Sequence, residues 1–170
     1  MTATFPSADH DHGHCVAEIL AEAEQLCRER KARLTERRRR VLEIVAESHA
    51  AIGAYDIIDR LAAAGGRPAP ITVYRALDFL MTHGLVHRLA SLNAYVGCPR
   101  AGAEHGAQFL ICRQCGTIGE LADPAVARVI VGAAADVGFE VASPLVEIAG
   151  VCVNCRGAGE TAKGETDVAG

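Results

Sequence analysis

The stretch ITVYRALDFLMTHGLVHRLASLNAYVGC, residues 71–98, changes its hydrophobic period half-way along. Up to Met81 its apolar residues recur every three or four positions, which is typical of an amphipathic helix. After Gly84 come two short β-rich runs, LVHRLA and NAYVGC, joined by Ser91-Leu92-Asn93, which predict a hairpin. A helix followed by a hairpin is the second half of a winged helix-turn-helix.

Three further helical segments precede this stretch. The first spans residues 15–32, the second opens at Thr35 as a helix-capping residue, and the third starts near Ala54 and ends at the glycines 65–66. The sequence RPAP then breaks the chain, and Pro70 marks the start of the fourth helix. Four helices and a hairpin predict a winged-helix domain over residues 15–98.

The second half of the chain predicts a smaller α/β unit. The small and polar stretch PRAGAEHG places a linker at residues 99–107. The sequences QFLICRQCGTIGEL and FEVASPLVEIAGVC read as strands on either side of the helix PAVARVIVGAAADVG, within residues 108–156. Residues 1–14 and 157–170 are expected to be flexible. The predicted class is α+β, with two domains.

Charge is unevenly distributed along the chain. The formal net charge is only -4, yet residues 28–100 hold 13 basic and seven acidic residues, while the segments on either side are acidic. A basic middle segment, with the run Arg37–Arg40, suits a polyanion such as DNA, although such runs often serve only as solvated surface. No apolar run reaches the roughly 20 residues that span a bilayer, and no signal peptide is evident, so the expected location is the cytoplasm.

The cysteines indicate metal rather than disulfides. Their number, seven, is odd, and a reducing compartment disfavours disulfide frameworks. Two Cys-x-x-Cys pairs, separated by 36 residues, have the spacing of a four-thiolate zinc site, whereas a redox pair would open a helix after a strand. The predicted structural zinc ligands are Cys112, Cys115, Cys152 and Cys155.

Two residues of the basic segment are candidates for contact with DNA. Arg75 lies opposite the apolar face of the fourth helix, where a guanidinium fork can reach guanine in the major groove. Tyr55 opens the third helix and is suited either to a base or sugar contact or to packing. Arg75 also fits an ordinary solvated surface residue.

Four more side chains surround the predicted domain boundary. Each has an ordinary explanation when taken singly, but together they offer two nitrogens, one sulfur and one oxygen, which is a normal zinc coordination sphere. These candidates are His87, Cys98, His105 and Glu120.

The segments TVYRALDFL, GLVHRL, AYVGC and FLICRQCG, followed by the second cysteine pair, resemble the ferric uptake regulator superfamily, and above all its zinc uptake regulator branch. The resemblance implies a homodimeric, zinc-dependent repressor that binds AT-rich palindromic operators in double-stranded DNA upstream of metal-uptake genes. It implies two zinc sites per subunit: the four cysteines as a structural site, and His87, Cys98, His105 and Glu120 as a regulatory site. It also places Tyr55 and Arg75 at base-contacting positions.

Two alternatives stay open at this point. One is an iron- or peroxide-responsive regulator of the same superfamily, although iron-sensing relatives carry a His-rich run where this chain has AGAEHGAQ. The other is a zinc or thiol enzyme. The sequence contains neither an HExxH motif nor a nucleophile elbow, so the chain is expected not to be an enzyme. The N-terminal His10, His12, His14 and Cys15 fit either an auxiliary metal tract or an acidic tail.

Overall fold

The computed structural model describes residues 3–5, 12–98, 101, 107–121, 123–142 and 144–156. They belong to two units, one of residues 11–104 and the other of residues 1–10 together with 105–170. The helices are α1 (His12–Glu29), α2 (Glu36–Ala46), α3 (Ala54–Ala63), α4 (Pro70–Thr82) and α5 (Pro124–Asp136). The strands are β1 (Ala3–Thr4), β2 (Val86–Leu89), β3 (Ala94–Gly97), β4 (Ala107–Cys112), β5 (Ile118–Leu121) and β6 (Leu145–Gly150).

Helices α1 to α4 share one hydrophobic core. Burial of each aliphatic side chain there contributes about 1.5–3 kcal/mol relative to exposure. The capping signals hold: the Thr35 side chain accepts from the Arg38 backbone N–H at the start of α2, and Pro70 opens α4. The fully buried aliphatic residues include Val41, Leu42, Ile44, Val45, Ile57, Ile58, Val73, Leu77 and Leu80.

The hairpin after α4 is the wing. Strands β2 and β3 are antiparallel, with His87 opposite Val96. Asn93 adopts a φ of 47° in the turn, a left-handed conformation that asparagine tolerates. Ile52, between α2 and α3, exchanges two backbone hydrogen bonds of 2.8 Å with Tyr95, which ties the wing to the helices. The predicted winged helix-turn-helix is therefore confirmed.

The second unit is built on a four-stranded sheet of order β1-β5-β4-β6. Strand β5 is antiparallel to β4, whereas β6 runs parallel to β4 on its other side. Helix α5 follows β5 and is capped by the Asp123 side chain, which accepts from the Ala125 backbone N–H at 2.8 Å. Helix and sheet together form the small α/β unit that the sequence predicts.

The N-terminus differs most from the sequence-based expectation. Residues 1–14 are predicted to be flexible, yet Ala3–Thr4 form β1, and α1 begins at His12 instead of Cys15. Most of the predicted linker and all of the tail at 157–170 lie outside the described residues. Among the helices that the structure describes, none is long and apolar enough to cross a membrane.

Candidate metal centre and nucleic-acid interface

The two cysteine pairs meet because β4 and β6 end side by side. Cys112 closes β4 opposite Gly150, the last residue of β6, and the Arg113 backbone N–H donates to the Gly150 carbonyl at 2.9 Å. The turn after β4 then carries Cys115. After β6, Cys152 directly precedes a single helical turn at residues 153–156, which carries Cys155. The parallel register therefore places both Cys-x-x-Cys turns at one end of the sheet.

The four sulfurs form a compact cluster, with every pair within 4.8 Å. Cys112 Sγ lies 3.9 Å from Cys155 Sγ, and Cys115 Sγ lies 3.7 Å from Cys152 Sγ. Four thiolates bound tetrahedrally to zinc at about 2.3 Å are about 3.8 Å apart. The cluster fits a zinc ion, and four thiolates leave no open coordination position.

Hydrogen bonds from the surrounding protein lower the pKa of two of the four thiols, Cys112 and Cys115. Backbone N–H groups lower the pKa of Cys112 to about 6. The N–H group of Cys115 contributes most, followed by the N–H group of Cys152, whose nitrogen lies 3.3 Å from Cys112 Sγ. The Thr117 hydroxyl, 3.2 Å from Cys115 Sγ, lowers the pKa of that thiol. Contacts with Cys115 and then Cys152 raise the pKa of Cys155 to about 12. A divalent cation that draws off the remaining protons is therefore needed to hold all four as thiolates.

Two of the four proposed regulatory ligands lie together on the wing. The pairing of His87 with Val96 continues to Cys98, whose backbone N–H donates to the Leu85 carbonyl at 3.0 Å. His87 and Cys98 are thus diagonal neighbours on one face of the hairpin, where Cα atoms are roughly 7–8 Å apart. Nε2 of His87 is buried and Cys98 is 0% exposed, so both donor groups are withdrawn from bulk water.

The other two proposed ligands belong to the second unit or lie outside the described residues. Glu120 is on β5, half-buried, with its Oε2 atom buried. His105 lies outside the described residues. That these two side chains join His87 and Cys98 around one metal stays a prediction.

The two predicted DNA-contact residues are both exposed. Tyr55, in the first turn of α3, is 66% exposed, which excludes the alternative of a ring packed in the core. Arg75 projects from α4 into solvent, away from the buried Val73 and Leu77. Both side chains are therefore available to a ligand of this unit.

The run Arg37–Arg40 is mostly engaged within the fold. Arg38 lies over the Phe79 ring at 3.6 Å, Arg39 lies 3.3 Å from Glu24, and Arg40 lies 2.7 Å from Glu43. Arg37 is exposed. Three of these four cations therefore serve to join helices or support α2, and the run offers fewer groups to a phosphate backbone than its sequence suggests.

The sequence from residue 29 to residue 149 matches the model of the ferric uptake regulator family. The chain belongs to this family. The zinc uptake regulation protein of Escherichia coli (strain K12) is 39% identical over 139 residues, which cover 81% of this chain and 81% of that protein. A zinc uptake regulator solved in complex with zinc and DNA has a TM-score of 0.80 at 37% identity, over 85% of this chain and 97% of that one. The holo form of XcZur has a TM-score of 0.74 at 38% identity, over 81% of this chain and 96% of that one.

The match to the ferric uptake regulator family confirms the resemblance seen in the motifs. It includes the wing and the first cysteine pair, and it stops before Cys152 and Cys155, whose place in the metal cluster rests on the sulfur distances. It also begins after most of α1, so β1 and Phe5 lie outside it.

Two exposed residues of α4 were not predicted as candidates for DNA contact. Ile71 is 58% exposed and Tyr74 is 36% exposed, and with Arg75 they occupy the solvent side of this family member's fourth helix. The signal was available, since positions 71, 74 and 75 lie off the face formed by Val73 and Leu77. Apolar surface beside an arginine suits a major groove in which thymine methyl groups are exposed.

Proposed function

We propose that this chain is a zinc-responsive transcriptional repressor that binds double-stranded operator DNA and controls metal-uptake genes. The observation that carries the proposal is the likeness, over 85% of the chain, to a zinc uptake regulator solved with zinc and DNA. The exposed Tyr55 and Arg75 on a winged helix and the four gathered thiols support it from this chain's own residues. Such a protein acts on chromosomal DNA in the cytoplasm and is not an enzyme.

Two zinc sites with different tasks follow from this proposal. The four cysteines hold a structural ion, since a closed all-thiolate site supplies folding energy. His87, Cys98, His105 and Glu120 hold a regulatory ion, which ties these four side chains together. Zinc favours the DNA-binding conformation to the extent that it binds more tightly to that conformation than to the other. Such coupling free energies are typically about 1–3 kcal/mol.

The test is a titration of operator binding against free zinc, measured by fluorescence anisotropy with a labelled AT-rich palindrome. We expect affinity to rise with buffered zinc while the protein keeps its structural zinc throughout. Iron(II) and manganese(II) are titrated in parallel. A response to iron but not to zinc would indicate the alternative branch of the family, and binding that ignores every metal would overturn the proposal.

Apolar surface on the second unit supports the proposed homodimer. No described residue of α5 is buried, and Val129 is 71% exposed. On the outer strand β6, Leu145 is 50% exposed and Ile148 is 42% exposed. Apolar surface of this extent on one unit is suited to a second copy of the chain. Two copies with two-fold symmetry would read a palindromic operator.

Val129→Glu is expected to convert the dimer to a monomer, because a charge would enter the exposed apolar face of α5. Light scattering coupled to size-exclusion chromatography measures the outcome. Leu92→Glu, at the exposed tip of the wing, places the same charge on the other unit and should leave the mass unchanged. A Val129→Glu protein that stays dimeric would exclude this face of α5 from the interface.

Arg75→Ala is expected to remove specific operator binding while the dimer and both zinc ions are kept. Loss of a bidentate guanine contact costs roughly 1–3 kcal/mol per half-site. Arg67→Ala is the control, since it removes the same charge from the same unit at a guanidinium that pairs with Asp59 at 3.0 Å. Footprinting of both variants provides the measurement, and wild-type affinity of Arg75→Ala would exclude α4 from base reading.

A further inference from the structure

The N-terminal strand β1 extends the sheet at the strand that carries Glu120. Thr4 pairs with Glu120 and Ala3 with Leu121 in an antiparallel register. On the other side of β5, Glu120 pairs with Phe109 of β4. The backbone of Glu120 therefore lies between two strands, and without β1 it would lie on the outer strand of the described sheet.

Phe5 anchors this short strand by packing on Gly119. A Cβ atom built at Gly119 would lie 3.1 Å from Cζ of Phe5 and 3.2 Å from each of its Cε atoms. Carbon atoms in contact are normally about 3.5–4.0 Å apart. Any larger residue at position 119 would thus push the ring away, so glycine next to Glu120 is what allows Phe5 to pack there.

A two-residue strand adds little stability, but it converts β5 from an outer strand of the sheet into an inner one. Outer strands expose unpaired N–H and C=O groups and open locally at low free-energy cost. A metal ligand on such a strand is poorly placed, since ligands must be held within about 0.5 Å of the productive geometry. Covering β5 removes this freedom at Glu120.

We propose that Ala3, Thr4 and Phe5 form an N-terminal latch that positions Glu120 for metal binding. The inference rests on the proposed regulatory site, of which Glu120 is one ligand. The latch lies outside residues 29–149, which match the family model. Phe5 and Gly119 are its positioning residues, and neither binds the metal.

The test uses the full chain with Phe5→Ala and Gly119→Ala. In protein that carries only the structural zinc, both variants should lose hydrogen-exchange protection at residues 119–121. Loss of a group that orients a metal ligand typically costs roughly 10- to 100-fold in metal affinity, and we expect that fall for the second zinc in a chelator competition. Leu92→Ala is the control, because Leu92 is exposed at the tip of the wing, on the other unit.

Size complementarity gives a rescue that a general loss of stability would not show. Phe5→Leu combined with Gly119→Ala removes the ring atoms nearest to the new methyl group, so protection and second-zinc affinity should return. Unchanged exchange in Phe5→Ala would overturn the latch. Lost protection with unchanged zinc affinity would overturn its positioning role. Glu120→Gln separates the two proposals, because a Glu120→Gln protein that binds the second zinc normally overturns the ligand assignment, whatever the latch does.

Discussion

Cys152→Ser protein is expected to lose the folded second unit and to aggregate or melt far below the wild type. Cys152 is 3% exposed and joins the end of β6 to the cysteines at the end of β4. Structural zinc in small zinc-binding domains contributes roughly 10–16 kcal/mol at neutral pH. That is as large as the whole stability of a typical domain, about 5–15 kcal/mol.

The small core of this unit explains why other contacts cannot compensate. Helix α5 contributes no buried residue among those described, and two of the few buried side chains, Cys112 and Cys152, are themselves proposed metal ligands. Without the fourth thiolate, the cluster holds a partly coordinated ion at the one place where the sheet ends meet. The sheet is therefore expected to open from this end.

Thermal melting and zinc content of Cys152→Ser provide the measurement. Cys15→Ser is the matched control, since Cys15 is half-buried in α1 and lies outside the sulfur cluster. We expect wild-type melting and stoichiometry for that control. A Cys152→Ser protein that melts with the wild type would show that the cluster contributes no folding energy.

The sequence predicted best where the signal was local. The change of period near Gly84 predicted α4 and the wing, because a helix and a hairpin bury their apolar residues at different spacings. The four-cysteine cluster was predicted because Cys-x-x-Cys spacing lets both thiolates of one tight turn bind the same tetrahedral ion. Each pair is a local signal, and the need of a tetrahedral ion for four ligands then predicted that the two distant pairs meet.

Features that depend on distant contacts were not predictable. Strand β1 is two residues long and carries no pattern of its own, since it exists through its pairing with β5. The partners of Arg38 and Arg39, which are Phe79 and Glu24, come from other helices, so the run RRRR gave no sign that these cations are engaged. The proposed regulatory site likewise consists of residues far apart in sequence, which is why its four members were proposed by chemistry and resemblance.

Cys98→Ser is expected to give a folded dimer with about one zinc per subunit, whose operator affinity no longer follows zinc. The serine keeps the backbone hydrogen bond from residue 98 to Leu85, so the wing stays paired, but it loses the thiolate that a zinc ligand set requires. Coupling of about 1–3 kcal/mol between metal and DNA corresponds to a 5- to 150-fold response in affinity, and this response should vanish.

His87→Ala should give the same loss, because it removes the diagonal neighbour of Cys98 on the same face of the wing. Cys27→Ser is the matched control: Cys27 is 2% exposed in the helical core, and burial raises the pKa of its thiol, so it remains a neutral packing group. Zinc stoichiometry by native mass spectrometry is combined with a gel-shift titration in buffered zinc.

A Cys98→Ser protein that melts as early as Cys152→Ser, or that still binds its operator in step with zinc, would show that the two sites are not divided into one for folding and one for sensing. Retention of the response in Cys27→Ser together with its loss in both wing variants would place the sensing function at the wing. Among the strand pairs that the structure describes, the wing is where a buried thiol and a histidine share one face.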